Sequence, residues 1–469
     1  MNYHFIGIGG IGMSALAHVL LAKGNRISGS DLRSNNLTEH LARKGAVIKK
    51  GHSPLNIPGD ARIVVRSTSI PNDNPEMIKA EEMSLEIISR SELLRRVMSL
   101  AKISVGVTGT HGKTTTSALI AHILWKCERQ PTVLVGGEIE SIGGNALLGD
   151  DDLIVAEVDE SDGFFRDIRA TNVCVTNVER EHMEHYGSME NLKLGYRKFF
   201  GNMPREGVLL YNADDKLLKE LVADAPSRKV PFSFAKTSAS RYYSKDAEHA
   251  RSIKFKFCAN GKIRGDVMST LIGRHNVMNL ISAVGMCLEL GLSFEEVVEA
   301  VLSFRTVKRR FYPVGEARGV KVYEDYAHHP TELRAVITAA RDFSPDGKLI
   351  VVFQPHRYSR TIDLKDEFAG CFKGADILIL TDIYSADESD SFKVGSEEIF
   401  RKIDRKHFES VEFMNKEDVP GYVSGICRKG DLVLIAGAGD IRESGKPILE
   451  NIRAGSGVKG TGSKSGKNE

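Results

Sequence analysis

The amino-acid sequence predicts an α/β protein with three domains built on mostly parallel sheets. At 469 residues the chain is too long for one ordinary core, because domains usually hold about 100 to 200 residues. Short apolar runs alternate with amphipathic stretches of helical length, as in parallel sheets with crossover helices. This alternation occurs in three series, and the first two contain glycine-rich turns directly after a strand. We therefore expect a Rossmann-like N-terminal domain, a central P-loop ATPase-like domain and a Rossmann-like C-terminal domain.

The N-terminal domain is expected over residues 1–100. Its opening strand, YHFIGIG, leads through a glycine turn into a helix, and further strands follow. A helix-like segment, ELLRRVMSL, closes the series. The predicted strands are 3–9, 27–31 and 61–65, and the predicted helices are 14–23 and 92–100.

The central domain is expected over residues 101–305. Apolar strands dominate its first half, and residues 228–270 alternate in the manner of antiparallel strands. A long helix is expected over HNVMNLISAVGMCLELG, residues 275–291. The other predicted strands are 102–107, 132–136, 153–158, 172–178 and 207–212.

The C-terminal domain is expected over residues 306–452, again with buried strands as its clearest signal. A tail over 453–469, rich in Gly, Ser and Lys, is predicted to be disordered. The predicted strands of this domain are 321–326, 348–354, 376–383 and 431–440.

Composition and charge exclude several classes of protein. Lys plus Arg number 64 against 62 Asp plus Glu, so a net charge of +2 gives no field suited to nucleic acid. The N-terminus MNYHFIGIGG has no export signal, and no apolar stretch approaches about 18 residues, so membrane insertion is not expected. The 6 cysteines form no CxxC pair and are expected to be reduced thiols. We expect a cytoplasmic protein, either a monomer or a homodimer.

A candidate phosphate-binding loop lies at GVTGTHGKTTT, residues 106–116, between a strand and a helix. Glycines let backbone N–H groups converge on phosphate, the helix N-terminus adds partial positive charge, and Lys113 can reach the outer phosphates. The strict Walker pattern requires glycine where this chain has Val107, so the match is a variant. The expected ATP-binding residues of this loop are Gly109, Thr110, His111, Gly112, Lys113, Thr114 and Thr115.

Acidic residues and one histidine follow buried strands and are candidates for a magnesium site. In VAEVDESDG, strand alternation predicts that Glu157 and Asp159 share one face at the ligand-binding edge of the sheet. Glu157 is the preferred metal ligand, Thr114 can supply a hydroxyl, and His182 follows another buried strand. On spacing alone Asp159 could equally be a solvated strand end, and a lone histidine is more often structural than catalytic.

A second glycine loop, GIGGIGMS, follows the first strand and precedes a helix, with Asp31 at the end of the next strand. This spacing is typical of a dinucleotide fingerprint. The physical requirement is only a pyrophosphate at the helix N-terminus, which a nucleotide sugar also carries. The loop alone therefore leaves both ligands open.

Eight segments in order along the chain resemble the Mur ligase family. The resemblance covers nearly the whole chain up to the tail. The segments are GIGGIGMSALA, GTHGKTTT, AEVDESDG, HNVMN, VKRRF, EDYAHHPTEL, FQPHRYSRT and GAGDI. Two departures are modest: this chain has Glu324 where the family more usually has Asp, and Arg180 where it usually has Pro.

The resemblance implies roles for individual residues. Lys113 would hold the β and γ phosphates, Thr114, Glu157 and His182 would bind magnesium, and Arg310 and Asp325 would complete the nucleotide site. Adenine-nucleotide contacts would come from His275, Asn276 and Asn279. The UDP-sugar contacts would be Gly9, Gly10, Gly12, Met13, Ser14, Ser30, Asp31, Ser67 and Thr68. The amino-acid pocket would be Tyr326, His328, His356, Arg357 and Arg360. The catalytic residues would be Lys113, His182, Arg310, Asp325, His328, Arg357 and Arg360.

The implied activity is an ATP- and Mg²⁺-dependent ligation of L-alanine to the lactyl carboxylate of UDP-N-acetylmuramic acid through an acyl phosphate, during peptidoglycan synthesis. Three alternatives remain open. A recycling ligase would attach a preformed tripeptide to the same sugar nucleotide, although FQPHRYSRT and GIGGIGMS fit this less well. A nicotinamide-dependent oxidoreductase would use GIGGIGMS but leaves GTHGKTTT unexplained, and a non-catalytic nucleotide switch would not need the HRYSR cluster.

Overall fold

Three β-sheets with flanking helices make up the part of the chain that the structure, a computed structural model, describes: residues 1–386, 388 and 395–455. These residues form two compact units. One contains Met1–Glu248, Ser252–Leu271 and His275–Val307. The other contains His249–Arg251, Ile272–Arg274 and the residues from Lys308 onward. The three-domain α/β prediction is confirmed at the level of fold class.

The first sheet has five parallel strands in the order β3-β2-β1-β4-β5, the order of a Rossmann half. The last three residues of its central strand are buried, and helical residues pack against both faces of the sheet. The strands are β1 Asn2–Ile6, β2 Arg26–Asp31, β3 Val47–Lys50, β4 Ile63–Arg66 and β5 Glu86–Ser89. The helices are α1 Ile11–Ala22, α2 Asn36–Arg43, α3 Pro75–Glu82 and α4 Arg90–Met98.

Local sequence explains where these helices begin. The Asn35 side chain accepts the N–H groups of Leu37 and Thr38, which satisfies two donors at the start of α2. Ser89 accepts the N–H of Glu92 and so caps α4. Helix α1 begins after Gly10, which leaves its N-terminus without a side-chain cap and open toward a ligand.

The second sheet has ten strands in the order β15-β14-β13-β12-β11-β10-β6-β9-β7-β8. The strands are β6 Ile103–Thr108, β7 Pro131–Ile139, β8 Gly144–Leu147, β9 Asp150–Glu157, β10 Asn172–Val175, β11 Val208–Asn212, β12 Arg228–Ser233, β13 Tyr242–Glu248, β14 Ile253–Ala259 and β15 Lys262–Ser269. The helices are α5 Lys113–Lys126, α6 Met183–Tyr186, α7 Met189–Gly201, α8 Lys216–Leu221, α9 Arg274–Glu289 and α10 Phe294–Ser303.

Two expectations for this sheet are wrong in detail. The segment 228–270 is not antiparallel throughout, because β12 pairs in parallel with both β11 and β13. Only β13, β14 and β15 form an antiparallel ribbon. Alternation of side chains reveals a half-buried strand but contains no information about strand direction. In addition, β9 ends at Glu157, so Asp159 lies in the following loop and strand alternation does not relate the two carboxylates.

The third sheet has the order β16-β17-β21-β18-β19-β20, parallel except for the edge strand β16. Its strands are β16 Tyr312–Ala317, β17 Val320–Asp325, β18 Leu349–Phe353, β19 Ile377–Leu380, β20 Ser410–Phe413 and β21 Leu432–Ala436. Its helices are α11 Pro330–Phe343, α12 Tyr358–Asp363, α13 Lys365–Ala369, α14 Glu397–Lys402, α15 Val419–Ile426 and α16 Gly445–Ala454.

Helix α16 ends at Ala454, so the first two residues of the tail predicted over 453–469 are helical. Residues 456–469 of that tail lie outside the described residues. Among the described helices, none combines the length and the apolar character needed to cross a bilayer.

The first two sheets belong to one compact unit, and α1 provides the junction between them. Helix α1 packs against β7 and β8 of the second sheet. The Asn145 side-chain amide donates to the Ile11 carbonyl oxygen at 2.7 Å and to the Ser14 hydroxyl at 3.2 Å. The glycine loop before α1 is therefore held close to the central sheet by packing and by hydrogen bonds.

Candidate active site

The loop between β6 and α5 has the backbone geometry that a phosphate-binding loop needs. Gly109 and Gly112 have φ values of +123° and +81°, a region that side chains rarely adopt. A Cβ atom on Gly112 would lie 2.6 Å from Asn279 Oδ1, so the position has no room for a side chain. Gly112 is the N-cap of α5, so the helix start has no side-chain cap, and its backbone N–H groups favour an anion.

Two residues of the segment after β10 hold this loop in shape, and the sequence analysis did not identify either. Asn177 Oδ1 accepts the His111 N–H at 2.9 Å, while Asn177 Nδ2 donates to the His111 carbonyl oxygen at 3.0 Å. The Asn177 carbonyl oxygen also accepts the Thr110 N–H at 2.9 Å. The Thr176 hydroxyl donates to the His111 carbonyl oxygen at 2.6 Å. The sequence signal that could have identified Asn177 is its position just after a buried strand.

Lys113, the first residue of α5, forms an ion pair with Glu160. Its Nζ lies 3.0 and 2.8 Å from the two carboxylate oxygens of Glu160 and 3.3 Å from the Thr110 carbonyl oxygen. Burial alone would lower the pKa of Lys113, but the carboxylates of Glu160 and Asp159 raise it above its usual value. Burial raises the pKa of Glu160, because its desolvation outweighs the attraction of Lys113. The lysine therefore remains charged in a nearly dry environment.

His182 lies beside the same acidic loop. It is the left-handed N-cap of α6, with φ of 58°, and its Nδ1 lies 3.6 Å from Glu184 Oε1. Asp159, Glu160 and His182 each offer one ligand atom, and these atoms all lie within 4.8 Å of one another. Burial by itself raises the pKa of Asp159, but Lys113, Arg90 and His182 together lower it well below its usual range. His182 is thus the one predicted metal ligand in this group, which does not include Thr114 or Glu157.

The other two predicted metal ligands are placed differently. Glu157, at the end of β9, accepts the N–H of Gly136 at 2.9 Å. A Cβ atom on Gly136 would lie 2.5 Å from Glu157 Oε1, so glycine is needed for this close approach. Thr114 is buried in the first turn of α5, and its methyl group would lie 2.9 Å from a Cβ atom on Gly137.

Helix α9 reaches the phosphate loop through the predicted asparagines. Asn279 Oδ1 accepts the Thr116 hydroxyl at 3.2 Å, and Asn279 Nδ2 donates to Asn276 Oδ1 at 3.0 Å. Both asparagines are buried, whereas His275 at the start of the helix is half-buried. Asn279 thus contacts the first turn of α5 directly, and Asn276 contacts Asn279. The adenine-nucleotide contacts predicted for His275, Asn276 and Asn279 stay predictions. Thr115, in the first turn of α5, is buried.

Two side chains hold the N-terminal glycine loop in place. Asp31 was predicted as a site residue, whereas Asn35 was not. The Gly9 N–H donates to Asp31 Oδ2 at 2.8 Å, and Asn35 Nδ2 donates to the Gly9 carbonyl oxygen at 3.0 Å. A Cβ atom on Gly9 would lie 2.8 Å from Asp31 Oδ2, so the close approach requires glycine. Gly10, the N-cap of α1, is exposed.

Several residues predicted to contact a UDP sugar have side chains that are turned inward, and their contacts with the sugar nucleotide stay predictions. Ser30 is fully buried, and its hydroxyl donates to Glu76 Oε2 at 2.7 Å. Met13 packs in the core, and the Ser14 hydroxyl donates to the Ile11 carbonyl oxygen at 2.9 Å. The reason is that strand and helix positions next to a glycine loop also form the sheet–helix interface. Ser67 is half-buried and Thr68 exposed at the end of β4.

Arg90, at the N-terminus of α4, connects the glycine loop with the acidic loop, and the sequence analysis missed it. Its Nη2 lies 3.4 Å from Asp159 Oδ2 and 3.6 Å from Asp162 Oδ2. A Cβ atom on Gly12 would lie 3.0 Å from Arg90 Nη1. The neighbouring Ser91 hydroxyl also donates to Asp162. Arg90 could not be identified from the sequence, because a single arginine at the start of a helix is not part of any motif.

In the C-terminal unit, Asp325 stands at the carboxyl end of β17. Its two oxygens accept the N–H groups of Phe311 and Ala327, each at 2.7 Å. Burial raises the pKa of Asp325 to about 6, although Arg310 acts to lower it. The Arg310 guanidinium lies 5.2 Å from the centre of the Tyr326 ring, and its Nη1 lies 3.8 Å from Glu332 Oε1.

The five residues predicted to form an amino-acid pocket lie together in this unit. The His328 ring lies 5.2 Å from the Tyr326 ring and 5.9 Å from the His356 ring. Arg360 Nη1 lies 3.4 Å from His356 Nδ1, and Arg357 donates its N–H to the Tyr384 carbonyl oxygen at 2.8 Å. Burial, together with His328, Arg360 and Arg357, lowers the pKa of His356 to about 2, so this ring is neutral among the cations.

Arg309 is a further member of this cluster that the sequence analysis did not identify. Its guanidinium lies 4.4 Å from the centre of the Tyr326 ring. It also donates to the carbonyl oxygens of Gly437 and Ala438 at 3.2 and 3.0 Å. Arg309 therefore connects the start of the third sheet with the GAGDI loop after β21. The VKRRF and GAGDI segments were both singled out, but their contact is visible only in the structure.

Comparison with known families finds Mur ligase sequences along the chain. The Mur ligase family catalytic domain matches residues 2–102, the Mur ligase middle domain matches 107–287, and the Mur ligase glutamate ligase domain matches 309–439. Together these three matches cover most of the chain and follow the order of the three sheets.

Individual relatives are similar over almost their whole length. The UDP-N-acetylmuramate–L-alanine ligase of Aquifex aeolicus is 40% identical over 454 residues, which are 96% of this chain and 98% of the relative. That of Trichlorobacter lovleyi is 37% identical over 455 residues, 96% of this chain and 98% of the relative. The crystal structure of UDP-N-acetylmuramate-alanine ligase MurC from Thermotoga maritima has a TM-score of 0.82 and 29% identity, covering 97% of this chain and 100% of that one. A murein peptide ligase from Psychrobacter arcticus shares the fold, with a TM-score of 0.73 and 20% identity over 97% of this chain and 99% of that one.

Proposed function

Because this chain belongs to the Mur ligase family, we propose that it uses ATP to join L-alanine to the lactyl carboxylate of UDP-N-acetylmuramic acid, a step of peptidoglycan synthesis. The choice of substrates rests on the alanine ligases that are 37 to 40% identical over 96% of the chain. The structural observation that carries the proposal is Lys113, a buried cation at an uncapped helix N-terminus. An anion with several charges fits this position best.

The phosphate loop fits the β and γ phosphates of ATP. Lys113 supplies a full positive charge at the start of α5, and the glycine at position 112 lets the phosphates approach the backbone. Asn177 forms three hydrogen bonds with Thr110 and His111, so contacts within the protein already define the shape of the phosphate loop. Preorganised charge of this kind stabilises phosphoryl transfer without reorganisation during the reaction.

A magnesium ion fits the oxygen-rich group beside Lys113. Asp159 and His182, whose candidate ligand atoms lie within 4.8 Å of each other, offer a carboxylate and an imidazole, donors compatible with Mg²⁺. We retain Thr114 and Glu157 as proposed ligands, since Glu157 accepts the Gly136 N–H and Thr114 lies against the neighbouring Gly137. When bound, the ion would neutralise charge on the phosphates.

The sugar nucleotide is assigned to the N-terminal glycine loop. The exposed Gly10 and the uncapped start of α1 can accept a diphosphate, as helix N-termini do. Arg90 adds a guanidinium beside Gly12. Asp31 keeps the loop in place by accepting the Gly9 N–H.

The cationic cluster of the C-terminal unit is assigned to the carboxylate of alanine. Arg357 and Arg360 bring two guanidinium groups next to a neutral His356, so the cluster has positive charge to offer an anion. Tyr326 and His328 line the same cluster. The roles predicted for His275, Arg310 and Asp325 toward the nucleotide stay predictions.

In the proposed reaction the lactyl carboxylate oxygen attacks the γ-phosphorus of ATP, and ADP leaves. The amine of alanine, after losing a proton, attacks the carbonyl carbon of the acyl phosphate. Collapse of the tetrahedral intermediate forms the amide and expels phosphate. Positioning and charge neutralisation account for this chemistry without a nucleophilic side chain.

We assign residues 1–100 to the sugar nucleotide, 101–305 to ATP and 306–452 to the amino acid. A cytoplasmic location and a monomeric or homodimeric state stay predictions. Phosphate release from MgATP is the direct test, measured with UDP-N-acetylmuramic acid and either L-alanine, the recycled tripeptide or no amine. Release that depends on L-alanine supports the proposal, whereas release only with tripeptide identifies a recycling ligase. Absence of release with either amine contradicts both.

A matched pair of variants connects the activity with the phosphate loop. Lys113→Met removes the cation at the start of α5, and we expect phosphate release to fall by at least about 100-fold. Lys126→Met removes an exposed cation at the other end of the same helix and is expected to leave release unchanged. Equal effects of the two substitutions would contradict the assignment of Lys113.

A further inference from the structure

The contact between Lys113 and Glu160 occupies the position proposed above for nucleotide phosphate. Both carboxylate oxygens of Glu160 lie within 3.0 Å of Lys113 Nζ, so the carboxylate takes two of the three ammonium donors. Glu160 is only 2% exposed, which means that little water screens the attraction. A phosphate that binds Lys113 therefore competes with this carboxylate.

Glu160 is held in place through its backbone as well as its side chain. The Tyr186 hydroxyl donates to the Glu160 carbonyl oxygen. The loop around Glu160 is further fixed because Asp159 accepts the Ser161 N–H and hydroxyl at 3.2 and 3.0 Å. These hydrogen bonds do not involve the Glu160 carboxylate, so they do not depend on its contact with Lys113.

A buried lysine without a counterion would be costly, so some anion is needed whenever phosphate is absent. A purely structural counterion would remain paired in every state. Here the lysine lies at the start of α5 after Gly112, where phosphate has its strongest attraction. The carboxylate and the phosphate thus compete for one cation.

We propose that Glu160 is a positioning residue that neutralises Lys113 when the nucleotide site is empty, is displaced by the outer phosphates, and returns to Lys113 as ADP leaves. This inference rests on the proposed nucleotide site. It predicts that Glu160 weakens the binding of nucleotides whose β or γ phosphate reaches Lys113. AMP, which has only the α phosphate, does not compete with Glu160.

The test compares ADP and AMP binding to full-length wild-type protein and to Glu160→Gln. Titration calorimetry in EDTA removes any contribution from a metal. Glutamine preserves the shape of the side chain but removes its charge, so we expect the Kd of ADP to fall about tenfold, which corresponds to ~1.4 kcal/mol. The Kd of AMP is expected to stay the same. A Kd of ADP that is unchanged or higher, or an equal gain for AMP, would overturn the inference.

Two further variants separate this effect from a general change in charge or stability. Glu190→Gln removes the carboxylate of an exposed ion pair with Lys193, and it should leave ADP binding unaltered. The double variant Lys113→Met/Glu160→Gln should bind ADP no more tightly than Lys113→Met alone, because the carboxylate acts only through the lysine. A tenfold gain in the Lys113→Met background would also overturn the inference. If wild-type protein also binds no ADP when Mg²⁺ is supplied, the proposed nucleotide site fails instead of this inference.

Discussion

Arg90 and Asp159 form an ion pair, with 3.4 Å between Nη2 and Oδ2, that connects the N-terminal glycine loop with the acidic loop after β9. Arg90 lies beside Gly12 at the start of α1. Asp159 belongs to the acidic loop that also holds Lys113. The proposed sites for the two nucleotide substrates are therefore connected through adjacent charged side chains.

The first prediction follows from this pair. Arg90→Met should raise the KM for UDP-N-acetylmuramic acid by about tenfold or more, because a cation beside the proposed diphosphate position is lost. The KM for ATP should change less. Initial-rate kinetics of phosphate release provide the measurement, with Arg95→Met, on the same helix but paired with Glu92, as the control. Equal KM values in both variants would exclude Arg90 from sugar-nucleotide binding.

The second prediction concerns the backbone of the phosphate loop. Gly112→Ala should lower the free energy of unfolding by about 1 to 3 kcal/mol and abolish ATP binding, because φ is +81° and the methyl group would meet Asn279. Urea unfolding and calorimetry measure the two effects. Gly201→Ala is the matched control, since a Cβ atom there meets open space. Normal ATP binding by Gly112→Ala would mean that the loop changes shape when the nucleotide binds.

The third prediction concerns Asn177, which satisfies both backbone groups of His111. Asn177→Ala leaves a backbone donor and an acceptor without this partner, so the unfolding free energy should fall by about 1 to 3 kcal/mol. ATP binding should weaken at the same time, since the loop is no longer held in shape. A control is Asn202→Ala, which removes one hydrogen bond to the Arg166 carbonyl oxygen far along the chain from the loop. Loss of stability without any loss of ATP affinity would limit Asn177 to a structural role.

The fourth prediction concerns pH and the buried carboxylate of Glu76. Burial alone raises its pKa, but hydrogen bonds from His4, Ser30, Asn56 and Ser53 lower the pKa from 4.5 to about 2. Because the folded value lies below the unfolded one, the carboxylate stabilises the fold fully above pH 4.5. This stabilisation is lost as the pH falls from 4.5 toward 2.

Urea unfolding between about pH 6 and pH 3 measures this effect in wild-type protein and in Glu76→Gln. We expect wild-type stability to fall more steeply with acidification, because glutamine cannot take up a proton. The variant should also be less stable near neutral pH. Parallel curves for the two proteins would show that Glu76 does not contribute to the acid sensitivity.

Local features of the site could be predicted because they depend on consecutive residues. The order strand, GTHGK, helix brings Lys113 to the first turn of α5, whatever the rest of the chain does. The same holds for Gly10 before α1. Asparagines spaced three apart in HNVMN lie on one face of α9, so Asn276 and Asn279 could be selected together.

Contacts between distant segments could not be predicted. Glu160 meets Lys113 from 47 residues away, Arg90 meets Asp159 across 69 residues, and Asn177 meets His111 across 66 residues. Ser30 was expected to face a ligand but donates to Glu76 across 46 residues inside the sheet. Which side chain fills such a position depends on the packing of separate elements.

The sequence by itself determined the three α/β domains, the two glycine loops and the residues at the helix starts, because side-chain periodicity and glycine turns are local properties of the chain. Only the tertiary structure decided that β12 is a parallel strand, that Ser30 faces inward and that Glu160 neutralises Lys113. The physical reason is that strand pairing and charge pairing join segments far apart in sequence. Their energies depend on the burial and geometry that arise when the sheets and helices pack together.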